Sequence, residues 1–89
     1  MQSFTVDLRS AQNAVAVVAS FNAGLIGPSG GEWKGNSWDA FHDYLSWPEA
    51  ERYELKILGW TQCPGLSMQD REMMQTIFTD NPHVQVSFV

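Results

Sequence analysis

The stretch Tyr53-Glu54-Leu55-Lys56-Ile57 alternates apolar and charged side chains. Successive side chains of a strand point to opposite faces of a sheet, so this pattern predicts a strand with one buried and one solvated face. Apolar side chains also alternate with polar ones in residues 4–8, near the start of the chain, and in residues 84–88, near its end. The sequence therefore predicts three half-buried strands.

A first helix is predicted between the first two strands. Ser10 is its expected N-cap and Gly24 its expected end, because serine favours helix N-termini and glycine favours helix C-termini. The expected buried stripe has residues three and four apart, with one polar member at its end: Ala11, Ala14, Val15, Val18, Phe21 and Asn22.

Two further helices are predicted from their capping signals. Asn36 or Ser37 is the expected N-cap of the second helix, and Ser67 with Asp70 predicts a capping box at the start of the third. The expected inward-facing residues of the second helix are Trp38, Phe41 and Leu45. Those of the third are Met68, Met73, Met74, Ile77 and Phe78, before Asn81-Pro82 ends it.

Helical connections between sequential strands imply a parallel sheet with right-handed crossovers. Alternation in all three strands implies that helices cover only one face of that sheet. We therefore predict an α/β two-layer sandwich, a three-stranded parallel sheet with about three helices packed on one face. Its 89 residues fit a single domain over residues 1–89.

Composition limits the classes of partner. The chain carries ten acidic and five basic residues, a net charge of −5, which disfavours nucleic acid and favours a cationic partner. A purely solubilising role for the charge is the alternative. Cys63 is the only cysteine, so no intramolecular disulfide is expected. The sequence shows neither a secretory signal pattern nor a membrane-spanning run, so we expect a cytoplasmic protein that does not bind membranes.

The most distinctive segment is residues 33–45, a glycine-bearing aromatic loop that leads into the second helix. Asp39 and Asp43 lie four residues apart, so their charges share one helical face and repel by roughly 0.2–0.5 kcal/mol. The helix dipole explains Asp39 in the first turn but not Asp43. We interpret the pair as a site for a basic partner.

The tryptophans near this segment are assigned different roles. Trp38 fits the core stripe, whereas Trp33 in the loop and Trp47 after the helix resemble interface anchors. Covering the small core is the alternative for both, and for Trp47 it is an equal one.

Enzymatic chemistry has little support in the sequence. Asp39 and Asp43 are close enough for an acid–base pair, but no cleft is indicated around them. Nothing in the spacing brings Cys63, His42 and His83 together as a nucleophilic site or as a zinc site. We expect no enzymatic activity, no metal and no cofactor.

Residues 33–45 resemble the barstar family, intracellular inhibitors of the ribonuclease barnase, at the segment where an aromatic loop enters the inhibitory helix. The family pattern is Gly, three residues, Asp-Ala, two residues, Asp, one residue and Leu. It is matched by Gly35, Asp39, Ala40, Asp43 and Leu45. The order of elements and the chain length are also similar.

The resemblance implies that this helix and loop plug the active site of a basic ribonuclease. The residue matching Asp43 replaces a substrate phosphate, and the one matching Asp39 contacts basic or loop residues nearby. The aromatic residue matching Trp33 stacks near the catalytic histidine.

The chain departs from the family at two positions, in residues 59–66, which show little helical signal where the family has an extra short helix, and in the connection after the last helix. Ser37 stands where asparagine is common, and His42 replaces a tryptophan. Asp80 is the nearest match to an interface acid on the last helix, although the connection after it is shorter here.

The resemblance predicts an immunity protein against a cytotoxic ribonuclease, either a secreted enzyme or a toxin domain, that is monomeric when free. The predicted partner-binding residues are Trp33, Lys34, Gly35, Ser37, Trp38, Asp39, His42, Asp43, Ser46, Trp47 and Asp80. Two alternatives are an acidic interaction module for a basic partner that is not a nuclease, and a small hydrolase that uses Asp39 and Asp43.

Overall fold

Three parallel strands form one sheet in chain order. The structure, a computed structural model, describes residues 2–48 and 52–89. Strand β1 covers Gln2–Asp7, β2 covers Tyr53–Leu58 and β3 covers Val84–Phe88. Helices α1, α2 and α3 cover Ala14–Phe21, Trp38–Tyr44 and Met68–Asp80. A π-helical turn, Asn22–Ile26, continues α1, and a 3₁₀ turn, Trp60–Gln62, follows β2.

The strand register confirms the alternation predicted from the sequence. Phe4 lies opposite Leu55, and Leu55 lies opposite Val86, so apolar side chains share the face that the helices cover. The other face is lined with residues such as Glu54 and Gln85, which lie opposite each other. The α/β architecture, with helices on one face of a three-stranded parallel sheet, is therefore as predicted.

The predicted start of α1 is wrong, and its predicted buried stripe is only partly correct, since Ala11 and Phe21 are buried but Val15 is not. Asn13, not Ser10, is the N-cap, and its side-chain oxygen accepts a hydrogen bond of 2.9 Å from the Ala16 amide. The chain still turns after β1, because the Ala11 amide donates to the Leu8 carbonyl. Val15, expected in the core, is 80% exposed. The residues that face the sheet are four apart, Val17, Phe21 and Leu25.

Gly24 does not end this helix as predicted, because the π-helical turn carries the chain on to Ile26. Gly24 instead packs against the backbone of β1. A Cβ atom at this position would clash with the carbonyl oxygen of Thr5. Glycine is therefore needed for close approach of the turn to the strand, and the turn adds Leu25 and Ile26 to the core.

Helix α3 begins as predicted and buries fewer methionines than predicted. Ser67 and Asp70 form the reciprocal capping box, with hydrogen bonds of 3.0 and 3.1 Å. Met74 is buried, but Met68 is 78% and Met73 is 37% exposed, so those two do not fill the core. The apolar stripe of α3 is narrower than its composition indicated.

Candidate functional site

Helix α2 presents its two carboxylates to solvent because its opposite face is anchored in the core. Ser37 is the N-cap, and its hydroxyl oxygen accepts a hydrogen bond of 3.2 Å from the Ala40 amide. Phe41 and Leu45 are fully buried, as predicted. Asp43 lies two residues from each of them, about 200° away around the helix, so it projects opposite the buried face. Asp39 is also exposed.

The carboxylates of α2 make no ion pair with this chain's own cations in the part that the structure describes. The ion pairs found there join Arg9 to Asp7 at 2.8 Å and His42 to Asp80 at 4.0 Å. Asp39 and Asp43 therefore keep two uncompensated negative charges on one helical face.

Helix α3 adds a third acid to this surface. Its last residue, Asp80, places Oδ2 4.0 Å from Nε2 of His42 on α2, and both side chains are about half exposed. The neighbouring Asn81 is buried, donates to the Ile77 carbonyl at 2.8 Å and lies 3.5 Å from the same histidine nitrogen. The acidic face is defined here as Asp39, Asp43 and Asp80 together with His42.

Trp33 belongs to the core, which corrects its prediction as an exposed interface anchor. Its side chain is only 4% exposed and its ring centroid lies 4.8 Å from that of Phe41. The indole N–H donates a hydrogen bond of 3.0 Å to the carbonyl of Ser37. Because Ser37 caps α2, Trp33 positions the start of the helix from inside the protein.

The other two tryptophans of the predicted site differ from Trp33. Trp38 is half-buried, with its ring 5.6 Å from that of Trp33, in agreement with its predicted packing role. Trp47 is 47% exposed and contacts Tyr44 edge-on, with 4.9 Å between the ring centroids. Of the three aromatic candidates, Trp47 therefore offers the largest exposed fraction to a partner.

Lys34, Gly35 and Ser46 are exposed, as a binding role requires. Gly35 adopts a φ of +78°, and a Cβ atom there would approach Cγ2 of Val18 to 2.7 Å. The glycine that carries the family resemblance is therefore also required by this fold. Ser46 donates its hydroxyl proton to the Asp43 carbonyl at 2.7 Å, which caps the end of α2.

Asn22 fastens the loop before α2, and the sequence analysis missed this role. Its side-chain nitrogen donates to the Trp33 carbonyl, and its side-chain oxygen accepts from the Trp33 amide, both at 2.7 Å. The available signal was a polar residue at the end of an apolar stripe, directly before a glycine-rich loop. A polar side chain at such a position can satisfy backbone groups that the loop leaves unpaired.

We expect Asn22→Ala to lower the free energy of unfolding by about 1–3 kcal/mol, because the amide and carbonyl of Trp33 would lose their partners. Urea denaturation measures this difference, with Asn36→Ala as a control at an exposed asparagine close to the same loop. Equal stability of the Asn22→Ala variant and the wild type would show that these hydrogen bonds do not hold the loop.

Two further side chains hold the end of α2, and neither was recognised from the sequence. The hydroxyl of the fully buried Tyr53 donates to the Leu45 carbonyl, and His83 Nε2 lies 3.3 Å from the same oxygen. On the flank of α2, the Tyr44 hydroxyl donates to the Glu32 carbonyl at 2.7 Å. Helix α2 is thus fastened at both ends and to the preceding loop.

Burial raises the pKa of the Tyr53 phenol above its ordinary value of 10.0. The neutral phenol is favoured in the folded state, so its contribution to stability is present below pH 10 and is lost as the pH rises further. We expect the free energy of unfolding to fall more steeply above pH 10 in the wild type than in Tyr53→Phe. Urea denaturation at several alkaline pH values tests this, and parallel curves would contradict it.

A pocket of about 220 Å³ lies beside the start of α2. It is lined mainly by apolar side chains of α1, of the loop that precedes α2 and of α3. Asp39 and Asp43 are not among its lining residues.

Among the described residues, no group of three or more His, Cys, Asp or Glu side chains is arranged to hold a metal ion. In the same part of the chain, no helix has the length and apolar character needed to cross a membrane.

Comparison with protein-family models, with curated proteins and with solved structures finds no match to this chain.

Proposed function

We propose that this chain is a barstar-like inhibitor that binds the active site of a basic ribonuclease through its acidic face. The supporting observation is Asp43, an exposed carboxylate that is opposite the buried face of a firmly anchored helix and has no cationic partner in the described chain. The target is a secreted ribonuclease or a toxin domain, and the inhibitor protects the cytoplasm of the cell that makes it.

The mechanism is competitive occlusion of the ribonuclease. Asp43 occupies the place of a substrate phosphate. The enzyme's cationic side chains, which otherwise bind RNA, form hydrogen bonds with its carboxylate. Asp39 lies one turn earlier on the same face. Asp80, at the end of α3, lies 4.0 Å from His42 of α2. The His42–Asp80 contact supports including Asp80 in the site, which was uncertain from the sequence.

A rigid support favours this mechanism. An exposed helix that had to order itself on binding would lose affinity through the entropy of that ordering. Here Ser37 and Ser46 cap the two ends of α2, while Tyr53 donates to the carbonyl of Leu45, the residue that follows the helix. The helix backbone that carries the carboxylates is therefore ordered before the enzyme binds.

The long-range field of the inhibitor also fits a basic enzyme. A net charge of −5 attracts a cationic partner and raises its association rate at low ionic strength. The association of barnase with barstar is itself steered by charge in this way.

The proposal is tested by measuring cleavage of a fluorogenic oligonucleotide by a panel of barnase-type ribonucleases with increasing amounts of the 89-residue protein. We expect stoichiometric inhibition of at least one enzyme, with Glu54→Gln on the opposite sheet face as a control that inhibits equally. If every enzyme keeps full activity while a basic protein that is not a nuclease binds through Asp43, the chain is instead a general acidic interaction module.

A further inference from the structure

The two edges of the sheet differ in protection. The outer edge of β1 is covered, because Gly24 of the π-helical turn packs directly against the Thr5 carbonyl. The end of β1 also carries the Arg9–Asp7 ion pair, with 2.8 Å between its nitrogen and oxygen atoms. Covering a strand edge and placing charges on it are two ways in which proteins prevent unwanted strand pairing.

The outer edge of β3 lacks both forms of protection in the part of the chain that the structure describes. The His83 carbonyl accepts from the Tyr53 amide and the Val89 amide donates to the Ile57 carbonyl, so the odd-numbered residues here pair with β2. In a parallel ladder the even-numbered residues then direct their N–H and C=O groups to the outer edge. Val86 and Phe88 therefore present backbone donors and acceptors to solvent.

The side chains of this strand favour pairing. Residues 84–89 read Val-Gln-Val-Ser-Phe-Val and contain neither a charge nor a proline. Phe88 is 43% and Val89 is 71% exposed. An uncharged edge rich in β-branched and aromatic residues is the kind that joins another strand.

We propose that the outer edge of β3 pairs with β3 of a second copy of this chain, antiparallel and centred on Val86. In this register Val86 lies opposite Val86 of the second copy, and Val84 lies opposite Phe88. The amide and carbonyl of Val86 pair with those of the other Val86, and the Phe88 amide donates to the Val84 carbonyl of the other copy. The Val84 amide takes no part, because it already donates to the Asn81 carbonyl at 2.9 Å. The result is a two-fold symmetric dimer with a continuous six-stranded sheet.

The sequence of β3 is self-complementary in this register and in no register shifted by one residue. Val84, Val86 and Phe88 face the helices, while Gln85 and Ser87 face solvent. Centring on Val86 keeps apolar residues beside apolar ones and places Gln85 opposite Ser87, whereas a one-residue shift would mix the two faces. A second copy thus matches this edge better than an arbitrary strand would.

The dimer should be weak and reversible. One pair of five-residue strands buries less than the roughly 1,000 Å² typical of stable interfaces, and two copies of net charge −5 repel one another. Salt near 0.15 M screens that repulsion. The inference differs from the monomeric free protein expected from the sequence, and it does not rest on the proposed function, since it uses none of the acidic face.

Sedimentation equilibrium of the 89-residue protein at 0.15 M salt, from about 10 μM to 1 mM, tests the proposal. We expect the average mass to rise from 10.0 kDa toward twice that value with increasing concentration. Gln85→Lys with Ser87→Lys places like charges opposite each other across the two-fold axis and should abolish the rise. Gln85→Lys with Ser87→Glu creates opposite charges in the same positions and should make association tighter.

Circular dichroism and urea denaturation confirm that both double variants are folded before their masses are compared. A wild-type mass that stays at 10.0 kDa up to 1 mM would overturn the proposal. Equal self-association of the wild type and both double variants would also overturn it. A dimer formed elsewhere on the surface would not depend on the charges at residues 85 and 87.

Discussion

Asp43→Ala is expected to raise the dissociation rate from a ribonuclease that the wild type inhibits by about 30- to 4,000-fold. Truncating one partner of a buried, hydrogen-bonded charge pair costs about 2–5 kcal/mol, a range that includes measurements on barnase and barstar themselves. The enzyme's cationic side chains would be left desolvated with no carboxylate between them. Because Asp43 is exposed in the free protein, the variant should be as stable as the wild type.

Surface plasmon resonance measures the rate with the enzyme immobilised, and Glu54→Gln is the charge-matched control. Asp43→Asn removes the charge while nearly keeping the shape, and should resemble Asp43→Ala. Asp39→Ala is expected to cost less and to depend more on salt, because a charge at the rim of an interface acts mainly on association. Wild-type kinetics for Asp43→Ala would show that α2 is not the binding helix.

Trp33→Ala is expected to lower the free energy of unfolding by about 3–5 kcal/mol, because it removes a buried ring from the aromatic cluster. The ring of Trp33 contacts those of Phe21, Trp38 and Phe41, and its N–H is bonded to the Ser37 carbonyl. A small domain has about 5–15 kcal/mol of stability, so this loss is a large fraction of the total.

Urea denaturation of Trp33→Ala, Trp33→Phe and Trp47→Ala separates a core role from an interface role. Trp33→Phe keeps most of the packing and should remain folded with an intermediate loss of stability. Trp47→Ala should change stability little, since Trp47 is 47% exposed. If Trp33→Ala kept wild-type stability but lost binding to the ribonuclease, the original assignment of Trp33 as an interface anchor would be correct.

The sheet was predictable because strand alternation is a local signal. Five alternating residues are enough to identify the buried face of each strand. The parallel order follows from the helical connections between strands. The N-caps of α2 and α3 were predictable for the same reason, since Ser37 and Ser67 both bond to their helix as expected. The ends of α1 were not, because Asn13 replaces Ser10 as its cap and the chain continues past Gly24.

The face of α1 was not predictable because two stripes compete in a helix made mostly of alanine and valine. The stripe with the more regular three-and-four spacing included Val15, which is exposed, and omitted Val17, which is buried. The choice is decided by Leu25 in the π-helical turn, since packing that turn onto β1 fixes the rotation of the whole helix. Local periodicity carries no information about that contact.

The candidate site was predicted in part. The outward position of Asp39 and Asp43 followed from the helical period, since Phe41 and Leu45 had to face inward. The burial of Trp33 did not, because a loop residue has no periodicity and its environment depends on the fold. The approach of Asp80 to His42 joins two helices that are distant in the chain, and only the tertiary structure brings them together.

We propose above that the carboxylate of Asp43 occupies the phosphate site of a ribonuclease. The most direct measurement is competition with a 3′-mononucleotide, which fills that phosphate site in the enzyme. We expect the apparent inhibition constant of the wild-type protein to rise linearly with the nucleotide concentration. An inhibition constant unaffected by saturating nucleotide would contradict it, because the protein would then bind the enzyme away from its active site.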